Sequence, residues 1–446
     1  MLVGHGAFVE VTVESLSSVK KRLGIALPPE EVRAEIDQAY RGLQQHARIK
    51  GFRPGRVPRP ILERHYGEQV RSEVIGRLIE DSYARALAEH NLRAVTRPEI
   101  SAEEIGPETG LRYSVTIEIK PEFEVAGWDG LEVERAVAPV SEDSVDRHLE
   151  RLRESFAQMA RVDRDGVERG DLVEIGYTGV VEGHALPGAS APSRIIEIGS
   201  QTFPPPFEEE LVGRRRGESV HIAVPYPPHH HSADIAGKTV TFRVEVKEIG
   251  RKELPPLDDD FAKDHGECGS LAELRAKIRT ALAEAAEREA DERVRAAVVE
   301  RMVERNPIEI PDGLIERRFE TLAREVGIAP GGSTGKPELD AQLDEIRAEL
   351  RRRARAFVHG ALVLERLAAQ QSITATEAEI DDRIAQVLRA APRERERLAE
   401  IYRAPESRRE IGERLAQEKA LAWLVAHVTI TPGTAPNSIA AAEKTS

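Results

Sequence analysis

The spacing of apolar residues changes along the chain, and this change limits the folds it can adopt. Between about residues 167 and 250 they alternate with polar ones, as at Val173, Ile175 and Tyr177, which is the period of a β-strand. Over residues 271–304 they recur at every third or fourth position, which is the period of a helix. A chain of 446 residues is also too long for one core. The sequence predicts a multidomain α+β protein with a β domain and a mostly α-helical domain.

The region before the β domain mixes both periods. Residues 8–13 and 21–27 alternate like strands, and residues 111–119 do so again. Two prolines followed by two acids at 28–31 are typical of a helix start, and residues 70–90 have helical spacing. These segments predict an α+β domain in which a loop joins two helices.

The next segments separate this domain from the β domain. Residues 121–139 predict an extended connector, and Ser141 predicts the N-cap of a helix that runs to about Met159. The predicted boundaries are 1–135 for the α+β domain, 136–166 for a linker helix, 167–252 for the β domain, 253–432 for the helical domain and 433–446 for a disordered tail.

The helical region is punctuated by proline and by a capping pattern. The helix at 271–304 is expected to end at residues 306–311, because each of the two prolines there disfavours helix in the residue before it. The Thr-Ala-Thr-Glu sequence at 374–377 predicts a capping box. Further helices are predicted at 314–326, 338–370, 376–389 and 407–426, followed by a strand-like segment at 428–430.

Composition excludes several classes of protein. Acidic residues outnumber basic ones, 78 to 64, and the formal net charge is −14, which argues against a general nucleic-acid binder. Cys268 is the single cysteine, so no intrachain disulfide can form and a reducing compartment is favoured. The first thirty residues lack a signal-peptide pattern, and no later run reaches membrane-spanning length. The sequence predicts a cytoplasmic protein without a membrane segment.

Potential metal ligands are present but poorly arranged. The histidines at 229–231 are adjacent, so their side chains splay apart instead of converging. The acids at 258–260, with Asp264, His265 and Cys268, are more typical of a solvated helix start. No nucleotide-binding glycine motif and no catalytic serine signature is present. The sequence predicts neither a metal nor a cofactor.

Residues 50–58, Lys-Gly-Phe-Arg-Pro-Gly-Arg-Val-Pro, form a turn with an unusual charge. Two glycines and two prolines cannot continue a helix. From Arg41 to Pro60 there is no acid, whereas six residues, Arg41 included, are lysine or arginine. A stiff loop that carries Phe52 among cations suits folded RNA with an attached protein, contacted through backbone and shape. The alternative is an ordinary solvated charged loop.

The order Gly-Phe-Arg-x-Gly-x-x-Pro, followed by Tyr66 and Gly67, resembles the ribosome-binding signature of the bacterial trigger factor family. The resemblance implies an ATP-independent chaperone that docks at the polypeptide exit of the large ribosomal subunit, on a ribosomal protein and adjacent rRNA. There it would shield nascent and unfolded polypeptides, with a homodimer as an option off the ribosome. The family often has lysine where this chain has Pro54, which removes one cation. The resemblance assigns ribosome binding to Gly51, Phe52, Arg53, Pro54, Gly55, Arg56 and Pro58.

The β domain resembles the FKBP-type prolyl isomerase domain of trigger factors, through the Gly-Tyr-Thr-Gly sequence at 176–179 and the Phe-Glu pair at 207–208. Such a domain needs no nucleophile or metal. A dry aromatic pocket that binds the twisted amide better than the planar one lowers a rotation barrier of about 18–20 kcal/mol. The resemblance assigns the pocket to Tyr177, Leu186, Ile196, Phe203, Phe207, His230 and Phe242.

Several positions depart from the pattern of the isomerase family. Leu186 stands where the family usually has an aromatic ring, and Arg194 replaces another. His230 stands in place of a tyrosine whose hydroxyl meets the substrate carbonyl. Pro204 and Pro206 lie in the segment directly before Phe207, where the family more often has an aliphatic residue and glycine. The resemblance therefore implies isomerase activity that these substitutions weaken.

Two other functions remain open at this point. One is a free-standing FKBP-type isomerase that acts on unfolded substrates, and the other is a non-catalytic assembly scaffold. The basic loop with Phe52 favours the ribosome-associated chaperone over both, and the pocket substitutions count against the isomerase. The apolar stripes of the helical region fit either helix packing or weak contacts with clients.

Overall fold

The structure, a computed structural model, describes residues 10–50, 52–53, 55–106, 108–227, 235–264, 268–333 and 335–434. Contacts divide the chain into two compact units. One combines Met1–Arg135 with Asp291–Gly433, and the other combines Ala136–Ala290 with Thr434–Ser446. The predicted multidomain α+β class is confirmed. The domain boundaries stay predictions, and all but the first two residues of the predicted tail lie outside the described residues.

The first unit begins with a sheet packed against two helices. The strand order is β1-β2-β4-β3, with each neighbouring pair antiparallel. Alternate residues of β2 and β4, such as Leu23 and Val115, are buried with Val32 and Leu78 of the helices, as their spacing predicts. The elements are β1 (Glu10–Ser15), β2 (Lys20–Leu27), α1 (Pro29–His46), α2 (Arg59–Glu89), β3 (Glu99–Gly106) and β4 (Gly110–Glu118).

The second unit contains the β domain, whose sheet has the order β6-β10-β7-β8, with β9 also paired to β10. All of its pairs are antiparallel. The long β10 therefore organises the sheet, because three other strands pair with it. The connector carries β5 (Glu132–Arg135), which belongs to the first unit. The elements that follow in the second unit are α3 (Glu142–Ser155), β6 (Gln158–Arg161), β7 (Asp171–Val181), β8 (His184–Glu197), β9 (Ser219–Pro225), β10 (Thr239–Glu253) and α4 (Asp259–Asp264).

Helix α3 is shorter than the sequence predicts. Its N-cap is correct, because the Ser141 hydroxyl accepts a hydrogen bond from the Ser144 amide at 3.2 Å. The expected end at Met159 is wrong: α3 ends at Ser155, and Met159 lies in β6 opposite Lys252 of β10. The end of β10 offers backbone partners that a continued helix could not use, so residues 158–161 take a strand conformation.

The helical region confirms the predicted long helices. As predicted, residues 306–311 interrupt the chain before α6. The capping box is present two residues later than expected: the Thr376 hydroxyl accepts from the Glu379 amide, and the Glu379 carboxylate accepts from the Thr376 amide. The elements are α5 (Leu271–Arg305), α6 (Asp312–Glu325), α7 (Pro337–Gln370), α8 (Glu377–Ala390), α9 (Arg395–Ile401), α10 (Pro405–His427) and β11 (Thr429–Pro432).

The connector between the α+β domain and α3 is bound to the helical region of the first unit. The buried Asn306 side chain accepts from the Ala126 amide at 2.9 Å and donates to the Ala126 carbonyl at 3.0 Å. Further along, β5 forms a parallel pair with β11. Asn306 and β11 thus hold the connector at two separate points.

The α+β domain also contacts the start of α6. The Glu118 carboxylate, nearly buried, accepts from the amides of Asp312 at 3.2 Å and Gly313 at 2.9 Å. These amides lack partners within their own helix, and a carboxylate there complements the helix dipole. Lys20 bridges Asp312 at 2.8 Å. The domain that carries the basic loop is therefore fixed to α6.

Within the described part of the chain, no helix combines the length and the apolar character needed to span a bilayer.

Candidate docking loop and isomerase cluster

The basic loop between α1 and α2, residues 47–58, is the candidate docking loop, and its backbone is anchored near its end. Val57 is fully buried in the core of the α+β domain. The Gln44 side-chain amide donates to the Val57 carbonyl at 2.9 Å, and the Gln44 carbonyl accepts from the Gly55 amide at 3.1 Å. Gly55 has a φ of +80°, a conformation that favours glycine. Pro58 then caps α2 in the extended conformation that a helix start needs.

The side chains at the tip of the same loop are exposed. Phe52 shows 40% of its surface to solvent. Arg53 and Arg56 are exposed and form no ion pair with any described residue, and the same holds for Lys50. Arg59 differs, because it pairs with Asp37 at 2.6 Å and Glu63 at 2.8 Å. The loop therefore presents one aromatic ring and several unneutralised cations next to a backbone that is anchored at Gly55 and Val57. We name the exposed side chains of Phe52, Arg53 and Arg56 the docking tip.

The isomerase cluster is built from aromatic side chains of β7, β10 and the segment after β8. Phe203 stacks on Phe207 with ring centroids 4.3 Å apart and an interplanar angle of 14°. Tyr177 meets Phe203 edge to face at 5.7 Å and Phe242 at 6.1 Å, and Phe242 meets Phe207 at 5.4 Å. Aromatic pairs favour such offset and edge arrangements. A Cβ on Gly179 would lie 2.9 Å from the Phe242 ring, so glycine lets the strands close around it.

The outer side of the cluster is less covered than the inner side. Phe207 is fully buried and Phe242 is 4% exposed, whereas Phe203 and Leu186 are half-buried against the same core. Ile196 and Tyr177 are buried as well. An apolar surface at the Phe203 side is thus available to a ligand, while the inner rings also form the core of the domain.

Glu208, which the sequence analysis does not assign to the site, organises the segment that carries Phe203 and Phe207. Its carboxylate accepts from the amides of Gly199 at 2.9 Å, Gln201 at 3.0 Å and Phe203 at 3.1 Å. Burial alone would raise the pKa of Glu208, but the bonds from these amides outweigh burial and hold its pKa below the ordinary value. The Phe-Glu pair in the sequence marks the position of Glu208 but not this role, because the amides that a buried acid requires come together only in the folded segment.

Not all of the predicted site residues are within the described chain. The structure brings Tyr177, Phe203, Phe207 and Phe242 into one cluster, with Leu186 and Ile196 packed in the same core. His230 lies outside the described residues, as do Gly51 and Pro54 of the docking loop. In the described ranges no group of three or more His, Cys, Asp or Glu side chains is placed to hold a metal ion. Cys268 is buried.

Comparison with protein families agrees with this arrangement. Residues 9–152 match the family model described as bacterial trigger factor protein, and residues 270–426 match the model for its C-terminus. Residues 164–247, which contain the aromatic cluster, match the model for FKBP-type peptidyl-prolyl cis-trans isomerase. The three matches follow the chain in the order of the domains described above.

Relatives and a solved structure extend over most of the chain. The chain is 34% identical to a trigger factor of Geobacter sulfurreducens over 430 residues, covering 95% of this chain and 99% of that protein. It is 36% identical to a trigger factor of Moorella thermoacetica over 393 residues, covering 86% and 88%. A solved structure on promiscuous substrate recognition by the trigger factor chaperone is 25% identical, covers 93% and 99%, and has a TM-score of 0.47. From the identity and coverage of the two relatives, the chain belongs to the bacterial trigger factor family.

Proposed function

We propose that this protein is an ATP-independent chaperone of the cytoplasm that docks at the polypeptide exit of the large ribosomal subunit and shields nascent chains. Membership of the trigger factor family makes it a ribosome-associated chaperone with an FKBP-type domain. The observation that carries the finer proposal is the docking tip. It is an exposed phenylalanine beside unpaired arginines, on a backbone anchored by Gln44 and Val57.

The docking tip supports this role for a physical reason. An exposed aromatic ring breaks no contact within the free protein when it enters an apolar notch. Burial of its surface there lowers the free energy of the complex. Unpaired arginines exchange water and counterions for phosphate groups of RNA without first breaking an internal ion pair. Because the backbone is already held at Gly55 and Val57, less conformational entropy is lost on docking than for a free loop. These features suit a ribosomal protein with adjacent rRNA.

Co-sedimentation with ribosomes tests the proposal. Replacing Phe52, Arg53 and Pro54 with alanine should lower the affinity by about 30-fold or more, which is the effect of removing one interface hot spot. Replacing Arg93 and Arg97 is the matched control, because these exposed arginines follow the far end of α2. At 1.5 Å per residue that end lies about 45 Å from its start. Equal sedimentation of the loop variant and the wild type would overturn the proposal.

The salt dependence tests the role of the arginines separately. Each phosphate contact is expected to contribute about −0.7 to −0.9 to the slope of log affinity against log salt. Changing Arg56 to glutamine should therefore make the slope shallower by about that amount, whereas changing Phe52 to alanine should lower affinity at every salt concentration. An identical slope for the Arg56 variant would exclude a phosphate contact by this residue.

The isomerase activity is part of the same proposal, and the geometry of the cluster supports it. Phe203, Tyr177 and Phe242 offer an apolar surface with a buried floor, which is what binding of a twisted prolyl amide requires. The half-buried Phe203 is the residue to change, because the fully buried Phe207 also supports the fold. We expect Phe203→Ala to lower kcat/KM on a proline peptide with the domain still folded. An equal kcat/KM for the wild type and Phe203→Ala would refute the proposed isomerase activity of this cluster.

Two further parts of the proposal concern partners. The clients are nascent and unfolded polypeptides that contact the surface of the helical region. Off the ribosome the protein forms a homodimer, which sedimentation velocity at rising protein concentration tests directly. A single species with the mass of one chain at all concentrations would exclude the dimer without affecting the docking proposal.

A further inference from the structure

An arginine lies where the isomerase cluster opens to solvent. Arg194 is opposite Ile175 in the pairing of β8 with β7, and residues directly opposite each other share a face of the sheet. Ile175 is fully buried in the core of the domain, so Arg194 lies on the core side of the strand. The pairing shifts register between Ile175 and Tyr177, and Arg194 is nevertheless exposed. Its side chain therefore reaches the rim of the cluster.

Two aromatic residues of the cluster position the Arg194 guanidinium. Its Cζ lies 5.2 Å from the ring centroid of Phe203, a distance at which a cation is attracted by the ring face. One guanidinium nitrogen, Nη1, donates to the Tyr177 hydroxyl at 3.3 Å. Arg194 forms no ion pair within the described ranges. An unneutralised cation thus stands beside the rings that would hold a proline.

We propose that Arg194 makes this site select prolines that have an acidic residue next to them in the peptide. The inference rests on the proposed isomerase site, because it assumes that the proline packs against Phe203 and its neighbours. Neighbouring Cα atoms are about 3.8 Å apart, so the side chain before a bound proline reaches the rim. A carboxylate there pairs with the planar donors of the guanidinium, while a lysine at the same place is repelled.

The domain offers a matched control arginine. Arg243 is exposed and follows Phe242 directly in β10. Successive side chains of a strand point to opposite faces, so Arg243 lies on the outer face, away from the cluster. Arg243→Gln removes the same charge from the same domain as Arg194→Gln. If the preference for an acidic residue came from the general charge of the domain, both variants would lose it. If it comes from a contact at the rim, only Arg194→Gln loses it.

The test uses the full chain and three peptides that differ only in the residue before proline, which is Glu, Gln or Lys. We measure kcat/KM by NMR exchange spectroscopy and affinity by titration. For the wild type we expect Glu to be preferred over Gln by about threefold to fivefold, the upper part of the range for an exposed ion pair. Lys should fall below Gln. In Arg194→Gln the Glu-to-Gln ratio should drop to about one, and in Arg243→Gln it should remain.

The outcomes separate this inference from the proposed isomerase function. Isomerisation of all three peptides at equal rates by the wild type overturns the role of Arg194 and leaves the isomerase intact. A Glu preference in the titration that disappears in Arg194→Gln, without any rate enhancement, supports Arg194 and overturns the isomerase. A Glu preference that survives in Arg194→Gln overturns the role of Arg194. If the wild type neither binds nor isomerises the peptides, both are overturned.

Discussion

The docking loop and the isomerase cluster both depend on phenylalanine but treat it in opposite ways. Phe52 is 40% exposed, whereas Phe207 is fully buried and contacts three other rings. In the loop, Val57 and the two hydrogen bonds of Gln44 maintain the backbone, so Phe52 has no structural duty. In the cluster, the rings that would bind the ligand also fill the core.

This difference teaches where binding and folding can be separated. A residue held out from the core by others can change without unfolding the domain, because its removal leaves no cavity. A residue that contributes to the core cannot, because its removal costs transfer free energy and leaves a void. Variants of the two regions test this contrast by the size of their effect on stability and binding.

The largest effect is expected for the core ring. Phe207→Ala should lower the free energy of unfolding of the β domain by about 3–5 kcal/mol, as truncation of a buried Phe does. Phe52→Ala should change stability by less than about 0.5 kcal/mol, as exposed substitutions do. Hydrogen exchange at the amides of β7 and β10 measures the loss of stability in Phe207→Ala. Exchange at the amides of β2 and β4 measures it in Phe52→Ala. Comparable losses in both variants would refute the contrast.

The next effect concerns the acid that holds the segment around Phe203. Glu208→Gln should lower stability by about 1.5–3 kcal/mol, the value of hydrogen bonds to a charged group. Since its pKa is lowered in the folded protein, Glu208 contributes this stability above its unfolded pKa, near 4.5, and the contribution is lost as pH falls through the folded pKa. The difference between wild type and variant should therefore shrink below about pH 4.5.

The neighbouring exposed Glu209 supplies the control for this measurement. Glu209→Gln removes the same charge without removing the three amide bonds, so it should leave stability at neutral pH unchanged. Denaturant unfolding of both variants between pH 3 and pH 7, followed by circular dichroism, makes the comparison. Equal pH profiles for the two variants would show that the bonds to Glu208 do not stabilise this segment.

A smaller effect is expected where the docking loop is anchored. Gln44→Ala removes the bond to the Val57 carbonyl and allows the loop more freedom. A hydrogen bond contributes about 1 kcal/mol, so ribosome affinity should fall about fivefold. The exposed Gln45 next to it is the control, and Gln45→Ala should sediment with ribosomes like the wild type. Unchanged sedimentation of Gln44→Ala would mean that the loop does not need this anchor.

The smallest effect is expected for the Tyr177 hydroxyl. Its partner is the exposed Arg194 at 3.3 Å, which can turn to water, so Tyr177→Phe should cost about 0.5 kcal/mol or less. Tyr113→Phe is a useful comparison, because that hydroxyl meets the buried Ser82 at 2.6 Å and its loss should cost about 1–3 kcal/mol. Thermal unfolding of both variants checks this order. A larger loss of stability in Tyr177→Phe than in Tyr113→Phe would show that the Tyr177 hydroxyl stabilises the core.

Local patterns made much of the fold predictable. The helices and strands with a clear apolar period, such as α5 and β4, are where the sequence places them, because one face of each is buried. β3 was not predictable in this way, since the apolar alternation in Glu99–Gly106 stops after Ala102. β6 depends on pairing with residues about ninety positions later, and no local pattern announces such a partner.

The candidate sites were predictable in residue type but not in geometry. The loop motif identifies Phe52 and its arginines, but the pairing of Arg59 with Asp37 depends on how α1 and α2 meet. The FKBP-type pattern identifies the aromatic rings. The place of Arg194 at the rim depends on the register shift in β8, and Glu208 acts through amides that the turn after Ile198 brings together. Such positions follow from tertiary structure.

The pairing of β5 with β11 has a consequence for how this protein itself folds during its synthesis. Thr429 lies opposite Glu132, so the ribosome makes the two partners on the order of 300 residues apart. At 5–20 residues per second that interval is roughly 15 to 60 s. During this time β5 of the connector lacks its partner strand. A member of a family of nascent-chain chaperones therefore leaves β5 unpaired until its own β11 has been translated.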